Sequence, residues 1–487
     1  MTWNKPTKKM TGNFEDDIGY LKERLAVDKS FDLIFLDLYY AGRKVGLFLV
    51  DGFGKDEVML FLMKFLSELA PEQLEENPLE KLLQTYIPYV ELEKTDDLEQ
   101  VVDQVLAGPT ALIVEGVPEV IMLDSRTYPV RGPEEPDMER VVRGSRDGFV
   151  ETIVFNCALI RRRVRDRSLR MEYLQVGRRS KTDISLCYLE EIADPHIVQE
   201  IKKALEKIDT DGLPMAEKTL EEFVGGRHWN PYPTVRYTER PDTAAAHLYE
   251  GHVLVIVDGS PSVIITPCTF WHHLQHAEEY RNKPLVGAYL RWVRFLAVWA
   301  SLFILPLWYL FAQHPELLPG PLSYIGPSEA GTVPLIAQIL IIEVGMDMLR
   351  MAAIHTPTSL GTALGLVAAI LIGDVAVKVG LFVPEIILYL AIAAIGTFST
   401  PSYELSLANR LYRIALLLLT ACFGVPGFMI GLVLFIIALL GMKSFNVPYM
   451  WPFIPFNYRA FRDVLIRAPI PLKNRRPVIL NPEDPDR

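Results

Sequence analysis

The sequence predicts an α/β cytosolic N-terminal region, built from two similar subdomains, followed by an all-α polytopic membrane domain. Three observations predict it. Charged residues crowd into 1–283, whereas 295–442 are mostly Leu, Ile, Val, Ala, Gly and Phe. A strand–turn–strand–helix order occurs twice in the polar part, and several long apolar stretches follow one another in the rest. A helix needs about 20 mostly apolar residues to cross hydrocarbon. The averages of 50% hydrophobic and 22% charged residues conceal this division. The net charge of −11 belongs mainly to the polar part and argues against nucleic acid as a partner.

In the polar part, "FDLIFLDLYYAGRKVGLFLVDGF" (31–53) reads as a β-hairpin around "AGRK". "KDEVMLFLMKFLSEL" (55–69) switches to helical spacing, with Val58, Phe61, Leu62, Phe65 and Leu66 on one face. After an acidic stretch read as helical, "PTALIVEGVPEVIMLDS" (109–125) gives two short strands around a Gly-x-Pro turn. The order then repeats: "SLRMEYLQVGRRSKTDISLCYLEE" (168–191) is a hairpin, "DPHIVQEIKKALEKI" (194–208) a helix, and "GHVLVIVDGSPSVIITP" (251–267) a second strand pair. Gly42 and Gly177 are offset by about 135 positions and Gly116 and Gly259 by about 143, a domain-sized period. The Pro- and Gly-rich segment 125–148 reads as a linker or exposed loop.

Chemistry is sparse there. "RRRVRDR" (161–167), with Arg170, Arg178 and Arg179, is either a patch for lipid headgroups or an acidic partner, or a face balanced by nearby Glu. "WHHLQH" (271–276) puts His272 and His276 one helical turn apart, but no carboxylate or Cys completes a metal site, and polar residues on a helix beside the membrane are the better reading. No P-loop, GxSxG, HExxH or GxGxxG occurs, so neither enzyme activity nor a cofactor is expected. Cys157, Cys187, Cys268 and Cys422 are scattered, which suits a reducing compartment. The first residues, "MTWNKPTKKMTGNFEDD", contain no apolar h-region, and no cleavable signal is expected.

In the apolar part, 295–312, 333–354, 360–380 and 384–400 are each long enough to be read as spans. Arg281, Lys283, Arg291 and Arg294 precede the first, and no Lys or Arg occurs in 312–332, so the rule of positive charge inside puts the N-terminal region in the cytosol. Arg410 and Arg413 then fall on the cytosolic side. The last block, "YRIALLLLTACFGVPGFMIGLVLFIIALLGM" (412–442), is interrupted at "GVPG" and followed by a basic tail. A broken-helix or re-entrant hairpin returns that tail to the side it came from; a single tilted span would not.

Glu343, Asp347 and Arg350 share one face of a helix by their spacing, and Asp374 and Lys378 repeat the i,i+4 arrangement in the next segment. Ionisable groups inside a span face protein or water rather than lipid. Three readings follow: a water-lined path, an internal ion-pair network, or an amphipathic helix lying at the interface. "GTALG" (361–365) offers a close helix contact.

The stretches 235–267, "TPSYELSLANRLYR" (400–413) and "KSFNVPYMWPF" (443–453) resemble the GerA family, the A subunits of bacterial spore germination receptors. The most specific pieces are Pro401, Ser402, Tyr403 and Glu404, and then Pro448 and Tyr449. The resemblance implies an integral protein of the spore inner membrane that assembles with itself as a ring homo-oligomer, a pentamer among the stoichiometries it allows. It also implies membrane lipids and another membrane subunit as partners. Such a ring would be a cation channel that opens during germination, with Glu343, Asp347 or Asp374 lining the conduit and Arg350 and Lys378 as internal partners. The rival is a non-conducting scaffold that organises receptors. The expected domains are 1–130 and 145–283 (the two subdomains), 284–455 (about four spans plus the hairpin) and 456–487 (a basic cytosolic tail).

Overall fold

A computed structural model describes residues 7–486 apart from 55, 76, 84–86, 88–91, 126–138, 226–228, 329–330, 356–375, 468, 470 and 472–474. It divides into two compact units, one of Met1–Gly226, Val235–Pro267 and Ile470–Arg487, the other of Arg227–Thr234 and Cys268–Pro469.

The first unit holds two antiparallel five-stranded sheets. The first sheet contains β1 (Leu33–Tyr40), β2 (Arg43–Val50), β3 (Leu92–Thr95), β4 (Thr110–Val114) and β5 (Val120–Leu123) in the order β1-β2-β4-β5-β3. The second contains β6 (Leu169–Val176), β7 (Thr182–Leu189), β8 (Arg236–Thr238), β9 (Val253–Val257) and β10 (Val263–Thr266) in the order β6-β7-β9-β10-β8. The two orders are the same, so the repeat read from the turns is a repeat of topology. Ala41 and Gly42 both have positive φ, the geometry that a two-residue hairpin requires.

The central strands read as continuous apolar runs because both of their faces are covered. Ala111 and Ile113 of β4 join Ile18 and Leu21 of helix α1 (Phe14–Leu25) in one core. Leu112 and Val114 join Leu62 and Leu66 of α2 (Asp56–Ser67) in the other. The α2 face is narrower than its spacing predicts: Phe61 is 56% exposed and Phe65 is exposed with it. Met59, Leu62 and Leu66 are the α2 residues that reach the sheet. The acidic stretch after α2 is helical only in part, since it contains β3 before α3 (Leu98–Ala107).

The arginines of 161–170 join the two halves. Arg161, in α4 (Ile153–Arg163), donates from Nε to Asp32 Oδ2 at 3.0 Å and from Nη2 to Oδ1 at 3.2 Å, with both side chains buried. Arg170 Nε reaches Glu190 Oε2 at 2.9 Å, and Lys29 holds the same carboxylate from the first half. Glu99 receives Arg24 at 2.9 Å together with Tyr20 and Arg167. Burial alone would raise the Glu99 carboxyl, but those three donors outweigh it and hold its pKa at about 2. The basic stretch is thus matched by acids of the same chain. The C-terminal segment also packs here: Leu480 is buried, Arg476 Nε donates to Tyr249 O at 2.9 Å, and Asn481 Nδ2 donates to Asp194 Oδ2 at 3.2 Å.

The second unit is helical: α5 (Pro284–Gln313), α6 (Leu335–His355), α7 (Pro384–Phe398) and α8 (Tyr403–Leu440). Among the described residues, α5 and α8 are long and apolar enough to cross a membrane, and α7 is shorter. Most of the expected span 360–380, including Asp374 and "GTALG", lies outside the described residues.

Helix α8 is a hairpin. Gly424 has φ 61° and ψ −137°, outside any helical region, with Pro426 two residues on. A Cβ on Gly427 would sit 2.0 Å from Leu419 O, and one on Gly431 2.4 Å from Leu416 Cδ1. The Tyr412 and Phe435 rings lie 5.5 Å apart. Each step forward along 425–440 therefore meets a step back along 403–423, so the arms are antiparallel. The outgoing arm spans about 30 Å at the helical rise, and the return arm about 24 Å. The turn at Gly424 adjoins His314, the residue after α5, and both ends of α8 pack beside Phe295 and Val298 of α5. The chain enters and leaves α8 at one end of the bundle.

Asp32→Ala is expected to lower the stability of the first unit by about 3–5 kcal/mol, because it strands the buried Arg161 guanidinium. Asp32→Leu combined with Arg161→Met should restore most of it, measured by denaturant unfolding. The Glu99 pKa is depressed from 4.5, so its contribution is complete above that pH and fades as pH falls toward 2. Glu99→Gln should flatten the acid limb of stability against pH over that window, read by circular dichroism.

Candidate functional site: charged residues among apolar helices

Glu343, Asp347 and Arg350 share one face of α6, as their spacing predicts, but their partners are not the ones expected. Glu343 is 1% exposed and sits between two arginines of the outgoing arm of α8. Arg413 Nη2 lies 2.8 Å from Oε1, and Arg410 Nη2 lies 3.1 Å from Oε2. Arg410 Nη1 reaches across to Asp347 Oδ1 at 2.6 Å, while the Asp347 side chain remains 42% exposed. Arg413 also donates to Ser301 O of α5, so the cluster ties three helices.

Arg350 is not the internal partner of either carboxylate. Its guanidinium stands 5.8 Å over the Phe398 ring, and its Nη1 is buried with no hydrogen-bond partner. Lys378 is exposed in the short helical turn Ala376–Lys378 and does not line the cluster.

The cations that hold Glu343 are thus Arg410 and Arg413, which sequence reasoning left at the cytosolic side. The reason is where α8 starts. Ser402 caps it, its Oγ accepting from Leu405 N at 3.2 Å and donating to Glu404 Oε2 at 3.1 Å. "LANRLYR" is therefore already helical, and its two arginines at i,i+3 share a face. The capping pattern Ser-x-Glu after Pro401 was the available signal.

The other family-motif residues have structural places. Pro401 precedes the cap and Tyr403 is exposed. Phe445 and Asn446, both with positive φ, form the turn between β11 (Lys443–Ser444) and β12 (Val447–Pro448). Tyr449 is fully buried, with its ring edge-on to Phe270 at 6.1 Å.

His272 and His276 do not share a helix. His272 lies in the 3-10 turn Phe270–Leu274, where its Nδ1 accepts from Thr269 N at 3.0 Å. His276 is the N-cap of the following short helix, Ala277–Arg281. Among the described residues no cluster of His, Cys, Asp and Glu suits a metal ion.

Apolar helices of spanning length, with a charge cluster sequestered among them and a large two-sheet region beside them in the sequence, point to a membrane protein. Its family follows from comparison. Residues 19–479 match the family described as Bacillus/Clostridium GerA spore germination protein, and the chain belongs to that family. It is 49% identical to stage V sporulation protein AF of Bacillus subtilis (strain 168), over 96% of this chain and 94% of that one. It is 31% identical to spore germination protein GerLA of Bacillus cereus, over 88% of each. Among solved structures, the N-terminal domain of the A subunit of the Bacillus megaterium spore germinant receptor GerK3 matches 55% of this chain and 99% of its own, with 23% identity and a TM-score of 0.43.

Glu343→Ala leaves two buried guanidinium groups without their shared anion and is expected to cost about 3–5 kcal/mol. A double-mutant cycle of Glu343→Ala with Arg413→Ala should give a coupling of about 1–3 kcal/mol, measured by thermal unfolding of the detergent-solubilised chain. Additive effects would show that the contact contributes nothing.

Proposed function

We propose that the chain is a subunit of a ring-shaped channel of the spore inner membrane, with its N-terminal region in the cytosol, that promotes cation release during germination. Asp347 carries the reading. It is a half-exposed carboxylate on a helix whose outer positions Ile341, Val344, Met348 and Met351 are exposed and apolar. A charge in such a place is tolerated against protein or water, not acyl chains. A ring that turns this face toward a shared axis supplies both, and a ring of carboxylates favours cations. Glu343 is buried between Arg410 and Arg413, whereas Asp347 shares only Arg410 and stays 42% exposed, so Asp347 takes the conduit role and Glu343 an anchoring one. Asp374 keeps its candidacy from sequence alone. Family membership supports the germination setting, and another membrane subunit and lipids are proposed as partners.

The alternative, a non-conducting organiser of receptors, is favoured by the exposed Leu60, Phe61 and Phe65 on α2, an apolar face suited to subunit contact. Potassium efflux from liposomes that contain the purified chain separates the two. A leak with cation selectivity that falls severalfold in Asp347→Asn is the expected result. Tight liposomes under every condition would establish the organiser instead.

A further inference from the structure

The cluster between α6 and α8 is out of electrical balance. Among the described residues it brings together Arg350, Arg410 and Arg413 against Glu343 and Asp347, leaving one positive charge in excess. Arg350, the cation without a carboxylate partner, is half-buried, and a counter-ion would offset its charge. A face of Phe398 meets part of that need at Arg350, though a ring supplies no formal charge.

These groups surround a cavity of about 20 Å³, lined by Glu343, Arg350, Thr397, Arg410 and Arg413. Three buried donors of its lining residues have no hydrogen-bond partner: Arg350 Nη1, Arg410 Nε and Arg413 Nε. Arg410 and Arg413 are only 6% and 3% exposed. One acceptor, Glu343 Oε1, likewise has no hydrogen bond, though it stands 2.8 Å from Arg413 Nη2. Donors thus outnumber the acceptor three to one. A lone water has two lone pairs and cannot satisfy all three, nor can it neutralise the surplus charge.

We propose that this cavity is a binding site for a small monovalent inorganic anion of chloride size. The space of about 20 Å³ is enough for one small occupant. The ion would accept from the arginines of α6 and α8 and so hold the two helices together. The proposal stands whether or not the chain conducts.

The full-length chain in detergent tests it by thermal unfolding in sodium chloride, bromide or gluconate at equal ionic strength. Chloride and bromide should raise Tm saturably by about 2–4 °C over gluconate. Arg350→Met removes the excess charge without breaking an ion pair; it should fold and show the same Tm in all three salts. A bromide anomalous peak between α6 and α8 should appear in the wild type and be lost in the variant. Should the variant fail to fold, the wild-type peak alone decides. Equal wild-type Tm in the three salts with no bromide peak means that only water occupies the cavity, and the proposal fails.

Discussion

The carboxylate of Glu343, shared by Arg410 and Arg413, is the contact on which the helical unit depends. It lies where apolar helices cannot hydrate a charge, so each partner is required by the others. It also fixes register: α6 cannot slide along the outgoing arm of α8 without exposing an unpaired guanidinium. Apolar packing elsewhere in the bundle, such as Trp308 against Tyr389 with rings 5.2 Å apart, gives adhesion but tolerates more displacement. Ionic contacts decide the alignment, and apolar ones fill it.

A similar logic joins the halves of the first unit. Apolar contacts such as Ala158 in the core of the first sheet and Phe31 against Tyr173 cross between the halves, and ion pairs cross with them: Asp32 with Arg161, Glu99 with Arg167, and Lys29 with Glu190. Duplicated units begin with like surfaces. Complementary charges at matched positions on the two copies allow them to pair in one orientation rather than many.

Much of this was legible because local chemistry dictates it. Ala41 and Gly42 can make a two-residue turn, β4 and β9 are apolar throughout because both faces are covered, and Gly-x-Pro-Gly cannot continue a helix. The remainder depends on long-range partners. Strands β3 and β8, at three or four residues, are too short to show a period, and exist because a neighbouring strand offers its edge. Arg410 and Arg413 looked like loop charges, since their role depends on a carboxylate some 70 residues away. The spacing of His272 and His276 suggested one helix, but the chain bends between them to bury one ring and cap with the other. At the charged cluster, the sequence indicated the helix face correctly and its counter-ions incorrectly.

The reversal at Gly424 also bears on how the protein reaches its bilayer during synthesis. A straight helix from Tyr403 to Leu440 would oblige Arg459, Arg462, Arg467, Lys473, Arg475 and Arg476 to be hauled through hydrocarbon, at roughly 2.5–3.5 kcal/mol for each cation at mid-depth. Folding back lets the insertion machinery accept both arms as one loop. The cationic segment that follows is then kept on the side from which α8 starts.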